Sequence, residues 1–193
     1  MPEIVPQQLL DRLARLEAEQ AVRRTISEYM HLCDALDSPQ TVACIAALFS
    51  EDALWEGVGE PYAERLGRHQ GREAIAAMMG GYVRQPAHFT TNVHFLCSEQ
   101  ILVDQSGRGA IGRWKMLQTS TFHSGASHLN CAELLIHFRR CADDEWRICH
   151  FTTRNLFSRP VDYWHAERAF PVPHCPPPSL SGENDGNDTR KEY

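Results

Sequence analysis

The chain has 193 residues, 42% hydrophobic and 23% charged, a balance that fits one soluble domain whose core stands without disulfide staples. Its formal net charge is −6 with histidine neutral, and its basic residues stand singly or in pairs. That excludes nucleic acid and anionic membrane as main partners, because an acidic surface without a basic patch draws neither.

Residues 7–36 predict one long helix. Val22, Ile26, Tyr29, Cys33 and Leu36 recur at spacings of four and three, which makes one apolar stripe, and Leu9, Leu13 and Leu16 form a similar stripe upstream. A second helix is expected after "DSP", capped by Asp37 or Ser38 with Pro39 in its first turn, and running to about Ser50. "DALWEG" (52–57) reads as a short strand, 57–71 as a loop, and "GREAIAAMMGGYV" as a third helix. Long strands follow at 88–103, 109–122, 128–140 and 145–157, separated by the turn signals "DQSG", "HSGAS" and "ADDE". Segregated helices and consecutive strands imply an α+β fold, with helices packed on one face of a curved antiparallel sheet. The expected domain covers 1–158, followed by a surface-packed extension over 159–174 and a disordered, Pro-, Gly- and Asn-rich tail over 175–193.

Seven cysteines, none in a C-x-x-C pair, point to reduced structural thiols in a cytoplasmic protein. Cys33, Cys44, Cys97, Cys131, Cys141 and Cys149 fall in periodic segments and are expected to behave as small buried hydrophobes. No apolar run approaches the roughly 20 residues that span a bilayer, and the first residues do not read as a secretory leader.

The sheet offers a candidate pocket. In "AHFTTNVHFL" (87–96), alternation puts His88, Thr90, Asn92 and His94 on one side and Phe89, Thr91, Val93 and Phe95 on the other. In 109–122, Trp114, Met116, Gln118, Ser120 and Phe122 share the face opposite Arg113, Lys115, Leu117 and Thr119. Large apolar side chains with a few polar points compose a ligand pocket, and equally an ordinary core.

These segments resemble a known family. "YMHLCD" (29–34), "ALFSEDALWEG", "GREAIAAMM", "GRWKML" and "DDEWRICHF", in this order, are similar to the nuclear transport factor 2-like superfamily, and within it to the SnoaL-like group of polyketide cyclases, scytalone dehydratase and bile acid 7α-dehydratase. The resemblance covers about residues 8–158 and implies a cone of sheet and three helices around one deep pocket. It implies no single reaction. Asp34 matches the acidic pocket residue of both dehydratases, and Tyr29 the tyrosine of the bile acid enzyme. "AHF" resembles the "QHF" whose histidine is catalytic in scytalone dehydratase, so His88 takes that candidacy. That enzyme's second catalytic histidine falls near Ser120, a departure for which His94 could compensate.

A histidine beside a carboxylate in an apolar pocket makes an acid–base pair. The expected roles are therefore Asp34 and His88 as catalytic pair, with Tyr29, Asn92 and His94 orienting the substrate and Trp55, Trp114, Met116, Gln118 and Ser120 contacting it. Such a site would act as a lyase or isomerase (dehydratase or cyclase) on a polycyclic, steroid-like or polyketide-like molecule. That chemistry needs neither metal nor organic cofactor. Metal-ligand spacings such as H-x-H or H-E-x-x-H are absent from the sequence, as are G-x-G-x-x-G, the P-loop and G-x-S-x-G. Two other readings stand beside it. One is a non-catalytic ligand- or protein-binding module. The other is a small subunit like that of ring-hydroxylating oxygenases, which share the fold. The face bearing Arg113, Lys115, Leu117 and Thr119 is expected to form a homo-oligomer interface.

Overall fold

A computed structural model describes residues 6–161. The surface extension and the tail expected beyond the domain fall, from residue 162 on, outside the described residues. Helix α1 spans Gln7–Asp34, with Val22 and Ile26 fully buried and Tyr29 and Met30 nearly so. Its upstream leucines Leu9, Leu13 and Leu16 remain exposed. The Thr25 hydroxyl donates to the Trp146 carbonyl at 3.2 Å, tying the helix to the far end of the chain.

Helix α2 (Pro39–Ala47) begins as expected, with the Ser38 hydroxyl accepting the Thr41 N–H. It stops earlier than its apolar pattern suggests, because Phe49 enters strand β1 (Phe49–Val58) and pairs with Ile148. That strand is longer than the expected 52–57. The expected loop at 57–71 contains a single-turn helix, α3 (Tyr62–Arg65), and a short strand, β2 (Arg68–Gln70). Elements this brief carry too few residues to show a period. Helix α4 (Arg72–Gly80) then precedes four long strands: β3 (Phe89–Val103), β4 (Gly109–Phe122), β5 (Ser127–Arg140) and β6 (Trp146–Pro160).

The strands form one curved, unclosed sheet in the order β2-β1-β6-β5-β4-β3. All neighbours are antiparallel except β1 and β6, which run parallel, so the sheet is mixed rather than purely antiparallel. Alternation holds along β4 and β5: Ala110, Trp114, Met116 and Ser120 are buried with Ala132, Leu134, Ile136 and Phe138, facing the helices. The opposite face carries exposed Arg113 and Lys115. Among the described residues all six cysteines are free, and burial was the wrong expectation for two. Cys44 and Cys97 are exposed, because they sit on the solvent sides of α2 and β3. No helix there is long and apolar enough to cross a membrane.

Candidate active site

A cavity of about 640 Å³ opens between the end of α1, the segment 61–66, the chain after α4 and the inner faces of β3 to β6. Its apolar walls include Met30, Trp55, Leu66, Met79, Phe122 and Phe151. A few polar groups converge among them, as ligand pockets require.

The last residue of α1 supplies the carboxylate. Asp34 Oδ1 lies 2.6 Å from His94 Nδ1, and the Asp34 carboxylate also accepts the His94 backbone N–H at 3.0 and 3.3 Å. Side-chain exposure is 12% for His94 and 23% for Asp34, and both line the cavity. A carboxylate at a helix C-terminus faces the negative end of the helix dipole; the N–H and the imidazole of His94 compensate. Donation from Nδ1 fixes the tautomer and leaves the Nε2 lone pair free.

Asp34 thus pairs with His94, not with His88 as the sequence suggested. Strand alternation breaks at the start of β3: Phe89 pairs with Phe122, but the next partners are Thr91 and Thr121, so Thr90 is an extra residue. His88 lies before the strand, at the cavity margin. Its Nδ1 faces the Arg84 guanidinium, which can only donate, and its ring meets Tyr82, Phe89 and Phe122 edge-on.

Tyr29 is a wall residue. Its hydroxyl accepts from Trp55 Nε1 at 3.2 Å and is bonded to the Cys33 side chain. Its ring lies between Phe49 and Phe151. Burial pushes the Tyr29 phenol well above its ordinary value, and pushes the Cys33 thiol up to about 12. Trp55 stacks nearly parallel on Phe151, 5.7 Å away.

Asn92, Gln118 and Ser120 form the polar floor. Asn92 Oδ1 accepts from Gln118 at 2.8 Å and from Ser120 at 2.9 Å, while its amide donates to the Cys33 carbonyl at 3.3 Å. Met116 lines the cavity beside them. Trp114 does not. Its indole lies across Gly112, where a Cβ would come within 2.0 Å of the ring, and it meets Phe138 edge-on in the core. Inward parity alone could not tell wall from core. Sequence reasoning also passed over Tyr62 and Asn130, which meet at 2.7 Å on the cavity surface. No local signal marks them, since they lie 68 positions apart. Among the described residues no three His, Cys, Asp or Glu side chains converge as metal ligands.

A curved sheet wrapped on helices around such a pocket defines the nuclear transport factor 2-like superfamily. Within it the chain belongs to the SnoaL-like domain family, whose model matches residues 14–152. No curated protein matches in sequence. Among solved structures, the chain is similar to hexachlorocyclohexane dehydrochlorinase LinA-type3 from Novosphingobium barchaimii LL02, with 19% identity and a TM-score of 0.64 over 84% of this chain and 99% of that one. A scytalone dehydratase candidate from Novosphingobium aromaticivorans DSM 12444 gives 17% identity and a TM-score of 0.63, over 77% and 90% of the two chains. An NTF2-like protein with a cystatin-like fold, also from Novosphingobium aromaticivorans, gives 23% and 0.62, over 81% and 92%. At these identities the likeness is one of fold.

Proposed function

We propose that this protein is an acid–base lyase or isomerase, a dehydratase or cyclase in particular, that acts without a cofactor on a hydrophobic polycyclic molecule of steroid-like or polyketide-like build. The observation that carries this reading is the Asp34–His94 pair, at 2.6 Å, in the wall of a largely apolar cavity of about 640 Å³. His94 Nε2 takes a proton from a carbon next to a carbonyl. The C–H electron pair moves into the enolate, and Asp34 faces the positive charge acquired by the imidazole. For dehydration, the enolate expels a β-hydroxyl, which takes the proton from His94 and departs as water. For isomerisation, the same proton returns to a different carbon. His88, facing Arg84 at the margin of the pocket, stands apart from this step.

The test is hydrogen exchange in heavy water with polycyclic ketones, read by mass spectrometry. Wild-type protein is expected to introduce deuterium next to the carbonyl, with Asp34→Asn and His94→Ala slowing exchange by ~10²–10⁴-fold. A ketone that binds and never exchanges would instead favour a ligand-binding module.

For the outer sheet face we propose self-association. Phe95, Leu117, Cys131 and Phe157 are register partners across four strands, and Phe95 and Phe157 are 49% and 40% exposed. Phe95→Glu is expected to lower the mass measured by light scattering.

A further inference from the structure

Tyr62 ends the polar row of the pocket in a way that leaves one hydrogen unclaimed. The row is oriented from both ends by main-chain carbonyls, which only accept. At one end, Asn92 Nδ2 donates to the Cys33 carbonyl, so Asn92 Oδ1 faces Gln118 and accepts its Nε2. Gln118 therefore turns Oε1 towards Asn130 and accepts from Nδ2 at 3.3 Å. At the other end, Asn155 Nδ2 donates to the Phe157 carbonyl at 3.4 Å and to Asn130 Oδ1 at 2.8 Å. The Ser158 hydroxyl donates to that same oxygen at 2.8 Å. Both ends give Asn130 one orientation, with Oδ1 towards β6 and Nδ2 towards Gln118 and Tyr62.

Asn130 Nδ2 then donates to the Tyr62 hydroxyl at 2.7 Å. An amide N–H cannot accept, so the phenol proton points away from Asn130. Among the described residues nothing accepts it, and Tyr62 lines the cavity. Tyr29, by contrast, already has partners in Trp55 and Cys33.

We infer that Tyr62 is the hydrogen-bond donor that holds an oxygen of the substrate, an inference that rests on the acid–base reading above. His94, Gln118 and Asn130 are register partners on β3, β4 and β5, so two strand spacings, ~10 Å, separate the His94 and Asn130 positions. The oxygen held by Tyr62 therefore belongs to a group remote from the carbon at which His94 works. The substrate is an elongated apolar skeleton of more than one ring, with a carbonyl or hydroxyl oxygen at its far end. Gly57 makes this placement possible. A Cβ there would lie 2.6 Å from the Tyr62 carbonyl oxygen and 2.9 Å from Leu66 Cβ, so only glycine lets the Tyr62–Arg65 turn lie against β1.

The test uses the full chain and two probes of matched shape, 2-acetylnaphthalene and 2-ethylnaphthalene, which differ in one carbonyl oxygen. Binding is read by quenching of tryptophan fluorescence, since Trp55 lines the cavity. Wild-type protein is expected to bind both, the ketone more tightly. Tyr62→Phe should weaken the ketone by roughly two- to tenfold, the worth of one neutral hydrogen bond, and leave 2-ethylnaphthalene unchanged. Gly57→Ala keeps the phenol but displaces it, and should show the same selective loss. Equal weakening of both probes by Tyr62→Phe, or no weakening of either, overturns the assignment of Tyr62 while the acid–base reading stands. Failure of wild-type protein to bind either probe overturns the apolar-ligand reading, and the Tyr62 assignment falls with it.

Discussion

Among the described residues there are two carboxylate–imidazole pairs. Asp34 meets His94 at 2.6 Å, and Glu56 meets His150 at 2.8 Å, so hydrogen-bond distance barely separates them. Their surroundings do. The first pair lines the cavity. The second lies on the outer sheet face, where His150 stacks on His137 at 5.6 Å and is also bonded to the Thr152 hydroxyl, while Arg68 lies 3.8 Å from Glu56. In the inner pair the carboxylate holds the ring by Nδ1, so that Nε2 carries the lone pair on a residue that lines the cavity. In the outer pair it is Nε2 that is occupied, and the face is open to water. A base needs both a free lone pair and a cavity that holds the reacting carbon against it.

The largest expected effect breaks the two pairs in parallel. With a turned-over ketone, Asp34→Asn or His94→Ala should lower the rate by ~10²–10⁴-fold, whereas Glu56→Gln or His150→Ala should stay within about twofold, as surface substitutions away from a site do. Comparable losses from both pairs would erase the distinction. His88→Ala should fall between them, because His88 touches the cavity margin without a carboxylate behind it.

The inner pair was half legible in the sequence. Both histidines stood out by residue type and strand spacing, Asp34 only through the resemblance to the two dehydratases, and the long period-3.6 and period-2 segments located α1 and β3 to β6. The choice between His88 and His94 turned on a bulge at Thr90, and nothing in "HFTTNVH" announces an extra residue. The region from Gly57 to Gln70 failed for a related reason. Its helix and strand have four and three residues, and what fixes them is the close approach of Tyr62 and Leu66 to Gly57, a tertiary fact. The polar row was legible in part: strand alternation put Asn92 and Gln118 among the candidates, whereas Asn130 reads alone as an ordinary polar residue in a strand, and its bond to Tyr62 is a tertiary fact.

Next in size is an effect on stability that should spare the chemistry. Tyr29→Phe removes the acceptor of the Trp55 N–H, whose residue is 6% exposed, and an unpaired buried donor costs ~1–3 kcal/mol. Thermal unfolding should show that loss, while hydrogen exchange by the folded protein should change far less than with Asp34→Asn. A smaller contrast lies in the thiols. Cys44 and Cys97 are exposed and should alkylate in the native protein at pH 8. Cys33, in the inner wall and pushed up to about 12 by burial, should stay protected until the chain unfolds. Peptide mapping after a timed alkylation separates them.

The smallest effect belongs to His137, which stacks on His150 of the outer pair. Burial, with the neighbouring His150, holds the His137 pKa below its ordinary value of 6.5. The fold therefore favours neutral His137. The unfolded chain takes up its proton first as pH falls, so the stability His137 contributes is present above about pH 6.5 and is lost as acidification proceeds through its folded pKa. His137→Gln should flatten this part of the stability–pH curve, measured by urea unfolding between pH 7 and pH 5, and leave the pH dependence of catalysis where it was. If the substitution instead shifted the pH dependence of exchange into a ketone, the outer histidines would be coupled to the pocket through β6, and the two pairs would be parts of one site rather than two separate regions of the sheet.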